Sequence, residues 1–118
     1  MYTYYHNPRC QKSREGLELL KKLKVEFKVI EYLKEKLNEK DLLNLFEKVK
    51  DDPNFYVRLK DPKVNDLNID LSLMTAKKWA KVLKDHPEFL ERPILETDKE
   101  AIIGRPAQRL EEFLKNRS

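Results

Sequence analysis

A chain of 118 residues is one domain's worth, long enough to bury a core without disulfides or a structural metal. Hydrophobic residues make up 40% and charged residues 39%, which excludes a disordered chain and forecasts a densely charged surface. The +4 charge is the small balance of 25 basic and 21 acidic residues that alternate in runs such as Lys34-Glu35-Lys36. That alternation reads as a solvated face rather than the segregated basic patch that nucleic acid requires.

No apolar run approaches the roughly 20 residues of a membrane span, so neither a nucleic acid nor a membrane is expected as partner. The opening residues carry no basic leader with an apolar stretch and cleavage site, so a secretory signal is not expected. A lone cysteine suits a reducing compartment, and the expected location is cytoplasmic.

Met1 to His6, rich in tyrosine and threonine, predicts a strand that Asn7-Pro8 breaks. Ser13 is placed to cap a helix running to about Leu23, with Leu17, Leu20 and Leu23 on one face. Val25 to Glu31 alternates in part and predicts a second strand. Asn38 caps a helix whose apolar stripe is Leu42, Leu45, Phe46 and Val49. Strand, helix, strand, helix favours a βαβ unit with parallel strands.

Residues 51–70 hold Pro53, Pro62 and the small apolar group Phe55-Tyr56-Val57 before Arg58, and fit either a functional loop or a distorted helical turn. Thr75 caps a helix with Ala76, Trp79, Ala80 and Leu83 on one face, Trp79 being core. Pro93–Glu96 and Ala101–Ile103 predict a hairpin around Thr97-Asp98, and Pro106 suits the first turn of a last helix carrying Leu110, Phe113 and Leu114. The expectation is a single α/β domain over residues 1–118, a central sheet covered by helices, with Cys10 at the C-terminal end of the first strand. Open α/β sheets place their sites at that edge.

Cys10 is the only cysteine, in the run His6-Asn7-Pro8-Arg9-Cys10-Gln11-Lys12-Ser13-Arg14. A thiol just before a helix faces orphan backbone N–H groups and the positive end of the helix dipole, and both favour thiolate. Arg9 and Arg14 add positive charge, and such surroundings lower a cysteine pKa. Cys10 therefore reads as a nucleophile. Ser13 stands where many redox proteins keep a resolving cysteine. Its hydroxyl can donate to a thiolate but cannot form a disulfide, so redox chemistry here needs an external thiol.

His6 is placed either to tune the thiolate and move a proton or simply to close the strand through hydrogen bonds. His6, Cys10 and His86 lack the spacing of a closed zinc site, so no metal is expected. Phosphate loops are excluded, because Gly16 and Gly104 are the only glycines. Arg92 and Arg105 each precede a proline, which restricts the backbone and fixes the direction of the side chain. Flanking the hairpin, they would emerge at one end of the sheet as forks for a tetrahedral oxyanion, with Arg58 a candidate third.

The run His6-x3-Cys10-x3-Arg14, with Glu91-Arg92-Pro93-Ile94 and Ile103-Gly104-Arg105-Pro106 downstream, resembles the signature of glutaredoxin-coupled arsenate reductases over nearly the whole chain. The resemblance implies a thioredoxin-like fold, a central mixed sheet flanked by helices with an inserted helical portion, and Pro93 as a cis-proline facing the cysteine. It implies Cys10 as nucleophile, His6 and Ser13 tuning the thiolate, and Arg14 completing the signature loop. Arg58, Arg92 and Arg105 would bind arsenate or a related oxyanion and its adduct.

The implied chemistry reduces arsenate to arsenite through a covalent Cys10 adduct, with no bound cofactor, glutathione as co-substrate and glutaredoxin as partner. The same superfamily holds Spx-type regulators that bind RNA polymerase, which often carry a Cys-x-x-Cys switch that Ser13 replaces here. A glutathione-dependent thiol oxidoreductase acting on another substrate is a third reading.

Overall fold

A computed structural model describes residues 2–49 and 52–116. Met1 of the expected first strand and Asp51 of the expected irregular stretch lie outside the described residues. Strand β1 (Tyr2–Tyr5) leads through helix α1 (Gln11–Lys22) to β2 (Phe27–Ile30), followed by α2 (Glu39–Lys48). Beyond it come a 3₁₀ turn at Pro53–Tyr56, a short helix α3 (Pro62–Asn65), a second 3₁₀ turn at Leu71–Leu73 and α4 (Ala76–Asp85). A 3₁₀ turn at Pro87–Phe89 precedes β3 (Ile94–Glu96), β4 (Ala101–Ile103) and α5 (Gln108–Lys115). The sheet order is β2-β1-β3-β4.

β1 and β2 are parallel, Tyr2 opposite Phe27 and Tyr5 opposite Ile30, with α1 as the crossover that parallel strands require. β3 runs antiparallel to β1 and to β4. Ile94 is paired to both Tyr5 and Ile103, so Arg92 before β3 and Arg105 after β4 stand at the same sheet end as His6 and Cys10. This is the expected α/β, thioredoxin-like arrangement, a mixed central sheet with a helical portion inserted between β2 and β3.

Alternation along the strands sends successive side chains to opposite faces. Tyr5, Ile94, Ala101 and Ile103 join one core with α2, α4 and the buried Trp79, Phe46 and Tyr32. Tyr4 and Leu95 join a second core with Leu20 of α1 and Leu110 of α5. Each large side chain buried in these layers contributes about 1.5–3 kcal/mol, whereas exposed pairs such as Lys21–Glu18 are worth at most about 1 kcal/mol each. Burial therefore holds the insertion in place.

Helix boundaries follow their caps. Asn38 forms a full capping box with Asp41, and Thr75 caps α4 by accepting from the Lys78 N–H. Ser13, however, does not cap α1. The N-cap is Cys10, and Ser13 lies fully buried within the first turn. The Asn7-Pro8 turn starts the helix early, with the Cys10 N–H donating to Asn7 O and the Arg14 N–H to Cys10 O.

α1 ends at a Schellman turn, in which Lys24 takes φ 58° and the Lys24 and Val25 N–H groups donate to the Lys21 and Leu20 carbonyls. That leaves Leu23 at the C-cap and exposed rather than on the buried face. Pro106 precedes α5 instead of opening it, because the Arg109 and Leu110 N–H groups first close tight turns on Pro106 and Ala107.

The irregular stretch is held by the helices around it. The Tyr56 hydroxyl sits 2.7 Å from Phe46 O and 3.0 Å from Val49 O, tying the irregular stretch to the C-terminal end of α2. The Trp79 indole N–H donates to Asn54. Val57 bridges antiparallel to Leu90, with the Arg58 N–H on Phe89 O and the Glu91 N–H on Tyr56 O. The backbone at Arg58 is thereby laid along the segment that leads into Arg92.

Candidate active site

The Cys10 side chain leaves the chain where a capping oxygen would stand, at the N-terminus of a twelve-residue helix. Burial pushes its thiol pKa up, but the Arg92 guanidinium hydrogen bond and the Ser13 and Lys12 backbone N–H groups outweigh that. The net direction is down from the ordinary thiol value. The leading positive charge thus comes from Arg92, across the sheet, rather than from Arg9 or Arg14 beside the cysteine in sequence. Arg14 turns back on the loop, donating from Nη1 to Pro8 O at 2.9 Å.

Ser13 contributes to the sulfur through its main chain, not through its hydroxyl. Its Oγ lies 2.7 Å from His6 Nδ1 and accepts from the Asn7 N–H at 3.0 Å. Burial lowers the His6 pKa most; Glu31 raises it, Arg14 and Lys21 lower it, and the net direction is down. A neutral imidazole follows at pH 7, and its tautomer sets which of Nδ1 and the Ser13 hydroxyl donates in their bond. His6, Ser13 and Asn7 therefore clamp the loop that carries Cys10. Asn7 adds a turn of its own, its Oδ1 accepting from the Arg9 N–H.

Arg92 and Pro93 are joined by a cis peptide bond, as are Arg105 and Pro106. Arg92 donates from Nη1 to Glu88 O at 3.3 Å, while its Nε is buried without a hydrogen-bond partner. Arg58 and Arg105 do not share that position at the sulfur; both line a cleft of about 540 Å³ with Phe55, Lys60, Asp61 and Glu91. Arg105 pairs with Glu91 at 3.4 Å and Arg58 with Asp61 at 3.8 Å. Glu91 Oε1 also accepts from the Arg92 N–H at 3.2 Å, linking the cleft to the thiolate site. The arrangement offers an acidic thiol, one guanidinium on it and two more guanidinia in an adjoining cleft, which suits nucleophilic attack on an anion.

One residue at this edge is missing from the sequence reading. Tyr32 sits two residues beyond β2, 1% exposed, its phenol pushed up to about 12 by burial against the opposing pull of Arg92. Cys10 and Arg58 also act on it electrostatically. Its position just past the C-terminal end of the strand parallel to β1 was the available signal. Among the described residues no group of three or more His, Cys, Asp or Glu is placed to hold a metal. No helix there is long and apolar enough to cross a membrane.

Residues 5–113 match the ArsC family. The chain is 32% identical over 111 residues to an arsenate reductase of Neisseria meningitidis serogroup A, covering 93% of this chain and 95% of the relative. It is 33% identical over 111 residues to an arsenate reductase of Haemophilus influenzae, covering 93% and 96%. The fold superposes on the structure of an arsenate reductase from Vibrio cholerae with a TM-score of 0.85 at 30% identity, covering 94% and 95% of the two chains.

Proposed function

The chain belongs to the ArsC family, and on that premise we propose that it reduces arsenate to arsenite through a covalent adduct on Cys10. The observation that carries this reading is the Cys10 thiol at the head of α1, held below the ordinary thiol pKa by the Arg92 guanidinium. Its relatives named as arsenate reductases support the substrate.

In the proposed cycle the Cys10 thiolate attacks arsenic and an S–As bond forms as hydroxide leaves, taking up a proton as water. Arg92 neutralises charge on the oxyanion at the sulfur, and Arg58 and Arg105 receive oxyanion or adduct from the cleft side. His6 and Ser13 hold the loop, and Arg14 pins it at Pro8. Glutathione, the co-substrate, then attacks the adduct. An S–S bond to Cys10 forms as the S–As bond breaks, its electron pair stays on arsenic, and arsenite departs reduced by two electrons. Glutaredoxin reduces the mixed disulfide and returns the thiol.

Having Ser13 rather than a second cysteine suits this use of external thiols, and a reducing, cytoplasmic setting suits the lone Cys10. The experiment is arsenate-dependent NADPH oxidation with glutathione, glutaredoxin and glutathione reductase, comparing wild type with Cys10→Ser. Saturable oxidation lost in the variant is the expected result. A flat wild-type trace with several glutaredoxins overturns the proposal.

A further inference from the structure

The cleft that holds Arg58 and Arg105 already contains anions of the protein's own. Arg105 Nη1 donates to Glu91 Oε1 at 3.4 Å, and Arg58 stands 3.8 Å from Asp61. The two carboxylates differ in what else they do. Asp61 caps α3, its side chain accepting from the Lys63 N–H, and the helix accounts for its place. Glu91 caps no helix. Its Oε1 also accepts from the Arg92 N–H at 3.2 Å, a bond that an uncharged carboxamide oxygen makes equally well. What the negative charge adds is the contact with Arg105.

Main-chain bonds fix that contact. The Glu91 N–H donates to Tyr56 O at 2.6 Å beside the Val57–Leu90 bridge, and Arg105 follows β4 at the same end of the sheet. Both side chains line the open cleft of about 540 Å³, and the Arg105 side chain is 40% exposed, within reach of a dissolved anion. The bond to Glu91 takes one N–H of a guanidinium that carries several, and an exposed pair of this kind is weak. A tetrahedral dianion presents a pair of oxygens to the same fork, and so can displace the carboxylate.

We propose that Glu91 is a positioning residue that sets anion affinity: its carboxylate holds Arg105 in the free protein as an internal counter-anion, and an incoming oxyanion takes the guanidinium over. The assignment deepens the oxyanion reading above and rests on it. Glu91 keeps the cleft cations Arg58, Lys60 and Arg105 from facing one another uncompensated. The same charge repels the ligand, so affinity lies below what the guanidinia alone would give.

The test is Glu91→Gln in the full chain, titrated calorimetrically with inorganic phosphate at low, constant ionic strength. The expected result is binding about 3- to 10-fold tighter than in wild type. Glu18→Gln removes the same charge from the exposed side of α1 and should leave the affinity unchanged. In an Arg105→Gln background, itself a weaker binder, the gain from Glu91→Gln should vanish. A merely structural role for Glu91 predicts equal or weaker binding in the variant, and either result overturns the assignment. An equal gain in Glu18→Gln, or a gain that survives without Arg105, overturns it too. So does a lack of phosphate binding in wild type and Glu91→Gln alike. Tighter phosphate binding through Arg105 with a flat coupled assay upholds the assignment and overturns arsenate reduction alone.

Discussion

Ser13→Ala separates a loop clamp from a ligand of the sulfur. Ser13 Oγ serves two buried partners, His6 Nδ1 at 2.7 Å and the Asn7 N–H at 3.0 Å. Ser13 itself is fully buried, so water cannot replace the lost oxygen. Stranding each partner costs about 1–3 kcal/mol, and the better helix propensity of alanine returns at most about 0.5 kcal/mol. A net loss of about 2–5 kcal/mol is expected, a large part of the roughly 5–15 kcal/mol that holds a domain of this size. Urea titration reads it as a lower midpoint at unchanged slope. The pH profile of Cys10 alkylation should stay in place in the folded variant, because the Ser13 N–H that acts on the sulfur belongs to the backbone. A variant as stable as wild type whose alkylation profile moves to higher pH would refute this reasoning and put the hydroxyl on the thiolate.

Arg92→Met removes the strongest group lowering the Cys10 pKa and leaves burial to raise it, so alkylation at neutral pH should slow and the profile should shift upward. An unmoved profile would assign the acidity to the helix N-terminus alone. Gly16→Ala should destabilise by about 1–2 kcal/mol in urea, overpacking outweighing the roughly 1 kcal/mol of helix propensity that alanine returns. The added Cβ would collide with the Tyr4 hydroxyl, fixed by its 2.6 Å bond to Ser13 O, and meet Leu110 Cδ1 at 3.0 Å. A stabilised variant would show that α1 is free to shift. For His6, burial lowers the folded pKa below the ordinary 6.5, so the unfolded chain takes up its proton first as pH falls. Its contribution is full above about 6.5 and is lost as pH drops from there toward the folded value, a slope that His6→Gln should flatten in urea midpoints.

The element order was legible because it is written in local signals: alternation in β1, the Asn38 and Thr75 caps, the apolar stripes of α2 and α4, and the turn at Thr97-Asp98. The same holds for the nucleophile, since a lone cysteine at a strand-to-helix junction meets orphan amides whatever else the chain does. The resemblance of three short motifs added the thioredoxin-like frame. Local signals were less reliable at helix ends, where Cys10 rather than Ser13 stands at the N-cap position of α1 and Pro106 falls before α5. There the competing hydrogen bonds of the Asn7-Pro8 turn and of Ala107 decide.

Only the tertiary structure settled which charge reaches the sulfur. The neighbours in sequence, Arg9 and Arg14, yield that place to Arg92, because an antiparallel β3 returns its start to the end of β1. The Val57–Leu90 bridge likewise brings the backbone at Arg58 alongside the approach to Arg92, although the side chain opens into the cleft with Arg105. Tyr32 was invisible for the same reason. Burial is a property of packed neighbours, and no pattern within ten residues of Tyr32 encodes Arg92. The sequence by itself determined the elements and the reactive atom, because both depend on short-range chemistry. The tertiary structure decided the electrostatics around that atom, because they depend on which distant chains the sheet brings together.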